Sequence, residues 1–336
     1  MASPADQDRV PRLLVGDFDF APEDRARLAA ALGPDALLLV RGREALREAL
    51  AAHPETEVVT SFYPPDETIA LAPHLRWIAL PSAGADLALR EGLVREGGPV
   101  VTTARGIHAA PISEFVFSVM LLWARHWPRM LALQHAHDWP AQERRAALTA
   151  RELHGATLGL VGLGAIGRRI AQLGRCFDMR VIATRRGAAP GETDPDVDEL
   201  LPLDRLDALL AQADFVVIAV PGTPETFHLI GAPQLHAMKP SGFLVNIARG
   251  SVIDEQALAE ALRAGEIAGA GLDVFENEPL PADSPLWDMP NVFISPHISG
   301  TSPVYSRRFT DLLLENLARY RAGQPLRNVV SLERGY

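Results

Sequence analysis

Short apolar runs alternate with longer segments rich in Ala, Leu, Arg and Glu through the first third of the chain. Leu13-Leu14-Val15, residues 36–40, Val58-Val59-Thr60 and residues 75–80 have the length and composition of strands. Residues 23–32 and 43–52 between them carry apolar positions at helical spacing. Strand–helix alternation predicts βαβ units, and so a parallel sheet with helices on both faces. Residues 112–125 are apolar on nearly every side, which predicts a helix buried between domains. Residues 135–154 are polar, carry Trp139 and Pro140, and read as a connecting loop.

The same pattern restarts at Ala156. Residues 157–161 read as a strand, followed by a glycine-rich turn and a helix over 166–177. Strand-like runs recur at 181–183, 215–220, 243–247 and 269–274, with helices at 203–212 and 255–264. Residues 303–322 form one amphipathic helix with Leu312, Leu313, Asn316, Leu317 and Tyr320 on related faces. The expected fold class is α/β: two doubly wound, Rossmann-like parallel-sheet domains with a cleft between them. A length of 336 residues agrees with two separately cored domains rather than one.

Composition narrows the function classes. A net charge of -10 argues against a nucleic-acid surface. No apolar run has the length of a membrane span, and residues 1–12 lack a signal-peptide core, so a soluble, cytoplasmic protein is expected. The single cysteine, Cys176, rules out a disulfide framework within the chain. No ligand set for a metal is expected.

Candidate chemistry begins at Gly162-Leu163-Gly164-Ala165-Ile166-Gly167, which follows a strand and opens a helix. In that setting the first glycine permits a tight turn, the second lets backbone approach a pyrophosphate, and the third allows close helix–strand packing. The anion would rest on the helix N-terminus, where N–H groups lack intrahelical acceptors. The end of the next strand reads Thr184-Arg185-Arg186, with no carboxylate until Glu192. An NAD site usually places Asp or Glu here for the ribose 2′-hydroxyl, whereas guanidinium groups suit a 2′-phosphate. The expected cofactor is NADP(H) in preference to NAD(H), with NAD(H) as the second candidate.

Three later segments each end an apolar strand with a polar group. Asn246-Ile247-Ala248-Arg249-Gly250 offers an arginine, residues 272–280 a run of carboxylates, and Ser295-Pro296-His297-Ile298-Ser299-Gly300 a histidine. Ligands of open parallel sheets bind beyond the carboxyl ends of the strands, so all three face the same side as the glycine turn. Those residue types suit reduction of a 2-keto acid. A histidine supplies the proton to the carbonyl oxygen, and a carboxylate orients the imidazole and keeps it protonated until the alkoxide forms. An arginine holds the substrate carboxylate and polarises the carbonyl.

Taken together, Gly162–Gly167, Asn246–Gly250 with Ser251-Val252-Ile253-Asp254, residues 272–280 and Pro296–Gly300 resemble the D-isomer-specific 2-hydroxyacid dehydrogenase family across nearly the whole chain. The resemblance implies Arg249 as the substrate-binding residue, Glu278 as partner of the histidine, and His297 as acid/base. It implies cofactor contacts at Gly162, Gly164, Ala165, Ile166, Gly167, Thr184, Arg185, Arg186, Val220, Pro221, Thr226, Ile247, Ala248, Asp273, His297 and Gly300, with Asp273 near the nicotinamide amide. Substrate contacts are implied at Ala83, Gly84, Arg249 and His297, the first two in the loop Ser82-Ala83-Gly84-Ala85-Asp86. A discontinuous layout follows: residues 1–104 with 299–336 as a flavodoxin-like substrate domain, and 105–298 as the dinucleotide-binding domain, with hinges near Ala104 and Ser299.

Arg185 in place of an acidic residue points toward the NADP-using glyoxylate/hydroxypyruvate reductase branch. Departures include Gly222, where a leucine is common, and Ala109-Ala110-Pro111-Ile112-Ser113-Glu114 ahead of the apolar helix. Formate dehydrogenases share the fold but carry glutamine where this chain has Glu278. Phe62, Tyr63, Trp77, His108, Trp287 and Tyr305 are candidate pocket walls. The expected partners are a small 2-keto or 2-hydroxy acid of D configuration and, by the resemblance, a second copy in a homodimer. The competing readings are a nucleotide-sensing, corepressor-like binding protein and a phosphite-type dehydrogenase. The chain ends soon after its final helix, which favours an enzyme over the sensor.

Overall fold

The structure is a computed structural model and describes residues 13–146, 148–333 and 335. Two compact units divide it: the described residues up to His108 together with Ser302 onward, and residues Ala109–Thr301.

The first unit carries a five-stranded sheet: β1 (Leu14–Gly16), β2 (Leu37–Leu39), β3 (Val58–Thr60), β4 (Trp77–Leu80) and β5 (Val100–Thr103). The order is β2-β1-β3-β4-β5 with every pairing parallel, the flavodoxin-like arrangement with its reversal between β1 and β3. Side chains alternate across it. Val15, Val59, Ile78 and Leu80 join Leu46 and Leu50 of the helix Arg43–Ala52, whereas Leu14, Val58, Trp77 and Ala79 face the other way. There they meet Leu28 and the C-terminal helix Tyr305–Arg321, which buries Phe309, Leu313 and Leu317. Trp77 is fully buried and donates its indole N–H to Thr102, so this aromatic is core and not a pocket wall.

The second unit carries β6 (Thr157–Val161), β7 (Arg180–Arg185), β8 (Glu199–Pro202), β9 (Phe215–Ile218), β10 (Phe243–Asn246), β11 (Gly269–Leu272) and β12 (Val292–Ile294). Their order is β12-β11-β10-β9-β6-β7-β8, again all parallel, with the reversal between β6 and β9. Central strands buried on both faces explain the near-continuous apolar runs of the sequence. Leu158 and Leu160 of β6, Phe215 and Val217 of β9, and Phe243 and Val245 of β10 face one side. Val161, Val216, Ile218 and Leu244 face the other, against Leu209 and Leu258.

The apolar helix is Ala109–Ala124, and its Val116, Phe117, Val119 and Met120 belong to this unit's own core beside Leu158 and Ile170. The segment expected to be loop contains a short helix, Gln142–Ala146, and is preceded by another, Trp127–His135; neither buries a residue, so neither leaves an apolar period to read. Among the described residues no helix is long and apolar enough to cross a membrane. No group of three or more His, Cys, Asp or Glu among them is placed to hold a metal ion.

Candidate active site

The glycine turn joins β6 to the helix Ala165–Cys176, beside the reversal of strand order. Gly162 has φ +106°, and a Cβ there would lie 2.7 Å from the Ala219 carbonyl oxygen after β9. A Cβ on Gly167 would lie 2.3 Å from the Gly162 oxygen, so helix and turn touch backbone to backbone. Gly164 differs: a Cβ there meets nothing within 4 Å, and Gly164 and Ala165 are exposed. Two glycines close the turn, and the third leaves open space over the start of a helix whose first N–H groups have no intrahelical acceptor. These residues fit a dinucleotide pyrophosphate.

Around this turn, Thr184 is fully buried at the end of β7, its hydroxyl without a partner among the described residues. Arg185 next to it is half-buried and pairs with Glu192 and with Asp194, the latter at 3.3 Å; Arg186 is exposed. Val220 and Pro221 follow β9, and buried Thr226 donates its hydroxyl to the Pro221 carbonyl at 2.7 Å, closing that turn.

The histidine lies at the other half of the same edge. His297 Nδ1 is 2.7 Å from Glu278 Oε2, and the second carboxylate oxygen of Glu278 accepts the Phe275 N–H at 3.0 Å. One oxygen is anchored by backbone while the other orients the ring, which leaves Nε2 as the outward nitrogen. The His297 side chain is 51% exposed, so that nitrogen is open to a substrate. His297 adopts φ +56°, and its N–H donates to the Asp273 carbonyl at 2.9 Å.

Asp273 holds this loop. Its buried carboxylate accepts the Ser295 hydroxyl at 2.7 Å, the Ile298 and Ser299 N–H groups at 3.0 and 3.1 Å, and the Ser299 hydroxyl. A buried carboxylate needs such a set of donors to stay in the fold. Asp273 therefore spends its oxygens on the turn that presents His297. Sequence reasoning passed over Ser295 and Ser299 as anchors, although both lie in the motif around His297.

Arg249 follows β10, one strand from β11, with its guanidinium 2.7 Å from the Ala248 carbonyl oxygen. Its turn is fixed by Asn246, whose side chain accepts the Ala248 N–H and donates to the Arg249 carbonyl, both at 3.0 Å. Gly250 then packs on the backbone of Phe275 and Glu276, so closely that a Cβ would lie 1.8 Å from the Phe275 carbonyl carbon. That contact joins the Arg249 turn to the loop carrying Glu278. An arginine, a histidine and a carboxylate thus converge at the carboxyl ends of β10, β11 and β12, on the sheet edge that holds the glycine turn.

Residues 117–299 match the sequence model of the D-isomer specific 2-hydroxyacid dehydrogenase, NAD binding domain. A glyoxylate reductase of Korarchaeum cryptofilum is 35% identical over 271 residues, covering 80% of this chain and 79% of that one. The chain belongs to the D-isomer-specific 2-hydroxyacid dehydrogenase family. Glyoxylate/hydroxypyruvate reductase B of Pectobacterium carotovorum is 37% identical over 262 residues, covering 77% of this chain and 80% of its own. The crystal structure of a D-isomer specific 2-hydroxyacid dehydrogenase from Xanthobacter autotrophicus, in complex with NADPH and MES, superimposes with a TM-score of 0.83 at 29% identity, covering 97% of this chain and 100% of that one. As a member of this family the dehydrogenase is an oxidoreductase with a dinucleotide-binding domain.

In the first unit, the loop after β4 runs Pro81-Ser82-Ala83-Gly84. The Ser82 hydroxyl donates to the Gly84 carbonyl at 2.7 Å, and the Tyr305 hydroxyl donates to the Pro81 carbonyl at 2.6 Å. His108 Nε2 lies 2.9 Å from the same Tyr305 oxygen and donates to it, since the phenol proton is already spent. Burial pushes the Tyr305 phenol above its usual value, so it stays a neutral donor. Tyr305 also packs beside Phe18 and Phe62, with Phe62 and Tyr63 exposed after β3. Trp287 is half exposed in the second unit, where its indole N–H donates to the Pro281 carbonyl.

Proposed function

We propose that this dehydrogenase reduces small 2-keto acids of the glyoxylate and hydroxypyruvate type to D-2-hydroxy acids, with NADPH as the preferred hydride donor. The observation that carries the reading is the His297–Glu278 pair at 2.7 Å, exposed at the strand ends beside the Arg249 turn. The substrate class is supported by relatives named glyoxylate reductase and glyoxylate/hydroxypyruvate reductase. The NADPH-bound neighbour from Xanthobacter autotrophicus and Arg185 at the end of β7 support the cofactor.

A nicotinamide held at this edge would supply the hydride for the carbonyl carbon. Arg249 holds the substrate carboxylate and polarises the carbonyl, lowering the charge cost at the oxygen. His297 gives the Nε2 proton to that oxygen as negative charge develops, and Glu278 compensates the imidazolium and fixes its tautomer. The N–H groups of Ala83 and Gly84 serve the substrate carboxylate, which makes the first unit the substrate domain. The second unit is the nucleotide domain. In it Gly164, Ala165 and Ile166 would cradle the pyrophosphate, and Val220, Pro221, Ile247, Ala248 and Gly300 would flank the dinucleotide. Thr184, Thr226 and Asp273 shape that site from behind.

We place the enzyme in the cytoplasm as a homodimer. The exposed apolar groups Trp127, Leu131 and Trp139 support a subunit interface in this unit, since such residues favour a partner surface. Light scattering at micromolar concentration checks this: a mass near 73 kDa is expected, twice the chain's 36.4 kDa, and a monomer is the contrary result.

Loss of absorbance at 340 nm tests the activity with NADPH and then NADH against glyoxylate, hydroxypyruvate and 2-ketoisocaproate. NADPH-dependent turnover of glyoxylate or hydroxypyruvate is the expected result. Tight cofactor binding without turnover of any of the three would overturn this reading in favour of a nucleotide sensor or a dehydrogenase of another acid, such as phosphite.

A further inference from the structure

The arginine at the end of β7 already has an anion. Arg185 Nη2 pairs with Glu192 and Nη1 with Asp194. The two carboxylates differ in what else holds them. Asp194 is buried and gripped in bidentate fashion by Arg168 at 2.7 and 2.8 Å, so its charge is compensated without Arg185. Arg168 also binds Asp196 at 2.7 Å, which locks that side of the loop. Glu192 is half exposed, accepts the Ala189 N–H at 2.9 Å, and has Arg185 as its counter-ion. Its turn is tight, since the Glu192 N–H returns to the Ala189 carbonyl at 3.0 Å.

We propose that Glu192 is a specificity-determining residue of the cofactor site: it sits on Arg185 where a 2′-phosphate would bind, and so limits the preference for NADPH over NADH. The proposal rests on the reading that Arg185 serves the 2′-phosphate. A phosphate reaching Arg185 must displace the Glu192 carboxylate or lie beside it, and either event costs electrostatic free energy that NADH does not incur. NADH brings only a hydroxyl, which a carboxylate accepts. Glu192 thus works against Arg185: the arginine favours the phosphorylated cofactor and the glutamate restrains it.

Steady-state kinetics with both cofactors on Glu192→Gln, Arg185→Ala and Glu199→Gln test this. Glutamine keeps an oxygen for the Ala189 N–H while removing the charge. The ratio of kcat/KM for NADPH to that for NADH rises about two- to fivefold in Glu192→Gln, the upper range of one partly exposed ion pair, through a lower KM for NADPH. Retained NADH turnover shows that this variant is folded. Glu199→Gln removes an equal charge from the Arg180 pair at the opposite end of β7 and leaves the ratio unchanged. Arg185→Ala lowers the ratio if the cofactor reading is right. A ratio unmoved within twofold by Glu192→Gln, with Arg185→Ala still lowering it, overturns the proposal alone. A ratio unmoved by Arg185→Ala overturns the arginine reading and the proposal with it.

Discussion

Gly250→Ala tests the join between the Arg249 turn, proposed to hold the substrate, and the loop that carries Glu278. The added methyl would lie 1.8 Å from the Phe275 carbonyl carbon, 2.0 Å from its oxygen and 2.3 Å from the Glu276 nitrogen. All three are backbone atoms, so no side-chain rotation relieves the clash. Ordinary contact begins near 3.4 Å, so the two segments must part by roughly 1.6 Å along that line. A misplacement of about 1 Å in a catalytic constellation costs on the order of 100-fold in rate. Kinetics at 340 nm should therefore give a kcat at least about 100-fold lower in Gly250→Ala, with the NADPH dissociation constant from fluorescence quenching changed by less than about fivefold. Overpacking should also cost about 1–3 kcal/mol of stability, read as a lower melting temperature. Gly164→Ala is the contrast, because its methyl meets nothing. That variant keeps its melting temperature and loses cofactor affinity, since the methyl occupies the space a pyrophosphate needs. A Gly250→Ala enzyme with kcat within threefold of wild type would refute the inference that this packing sets the active geometry.

Two further outcomes follow from the contacts. Tyr305→Phe removes the donor to the Pro81 carbonyl and the acceptor for His108, so the 81–84 loop loses its brace; the KM for the keto acid should rise about 5- to 20-fold while the KM for NADPH holds, and equal changes in both would contradict a positioning role. Asp194 is held below its usual carboxylate value of 3.8, chiefly by the Arg168 hydrogen bonds, so its stabilisation is fully present above that value and is lost as pH falls through the lower native one. Asp194→Asn should therefore cost about 1–3 kcal/mol at pH 7 by urea denaturation, with the gap to wild type closing as pH drops below 3.8; a gap independent of pH would contradict the linkage.

Much of the architecture was legible because the second unit's central strands are buried on both faces and write themselves as apolar runs. Pattern reading passes over β5 and β8 for different reasons. β5 begins with exposed Val100 straight after Gly97-Gly98-Pro99, which reads as a turn. β8 is a sheet edge ending in Pro202, with a single buried position. The helices Trp127–His135 and Gln142–Ala146 bury nothing, so periodicity had no face to detect. At the site, residue type and strand-end position single out Arg249, Glu278 and His297 as candidates, and the structure sets Glu278 and His297 2.7 Å apart with Arg249 after β10. Residue roles that depend on partners were not legible. Trp77 is core because Thr102 of the neighbouring strand takes its N–H. Asp273 carries the histidine turn because two serines reach it. Arg185 is already paired because a turn seven residues on folds back to it.

In the proposed reaction His297, oriented by Glu278, delivers the proton that completes hydride transfer. Single-turnover oxidation of bound NADPH by glyoxylate, followed at 340 nm in wild type and His297→Ala with the NADPH dissociation constant measured alongside, tests it most directly. The rate should be about 100- to 10,000-fold lower in the variant, with cofactor affinity kept. A His297→Ala rate within tenfold of wild type would place the proton donor elsewhere.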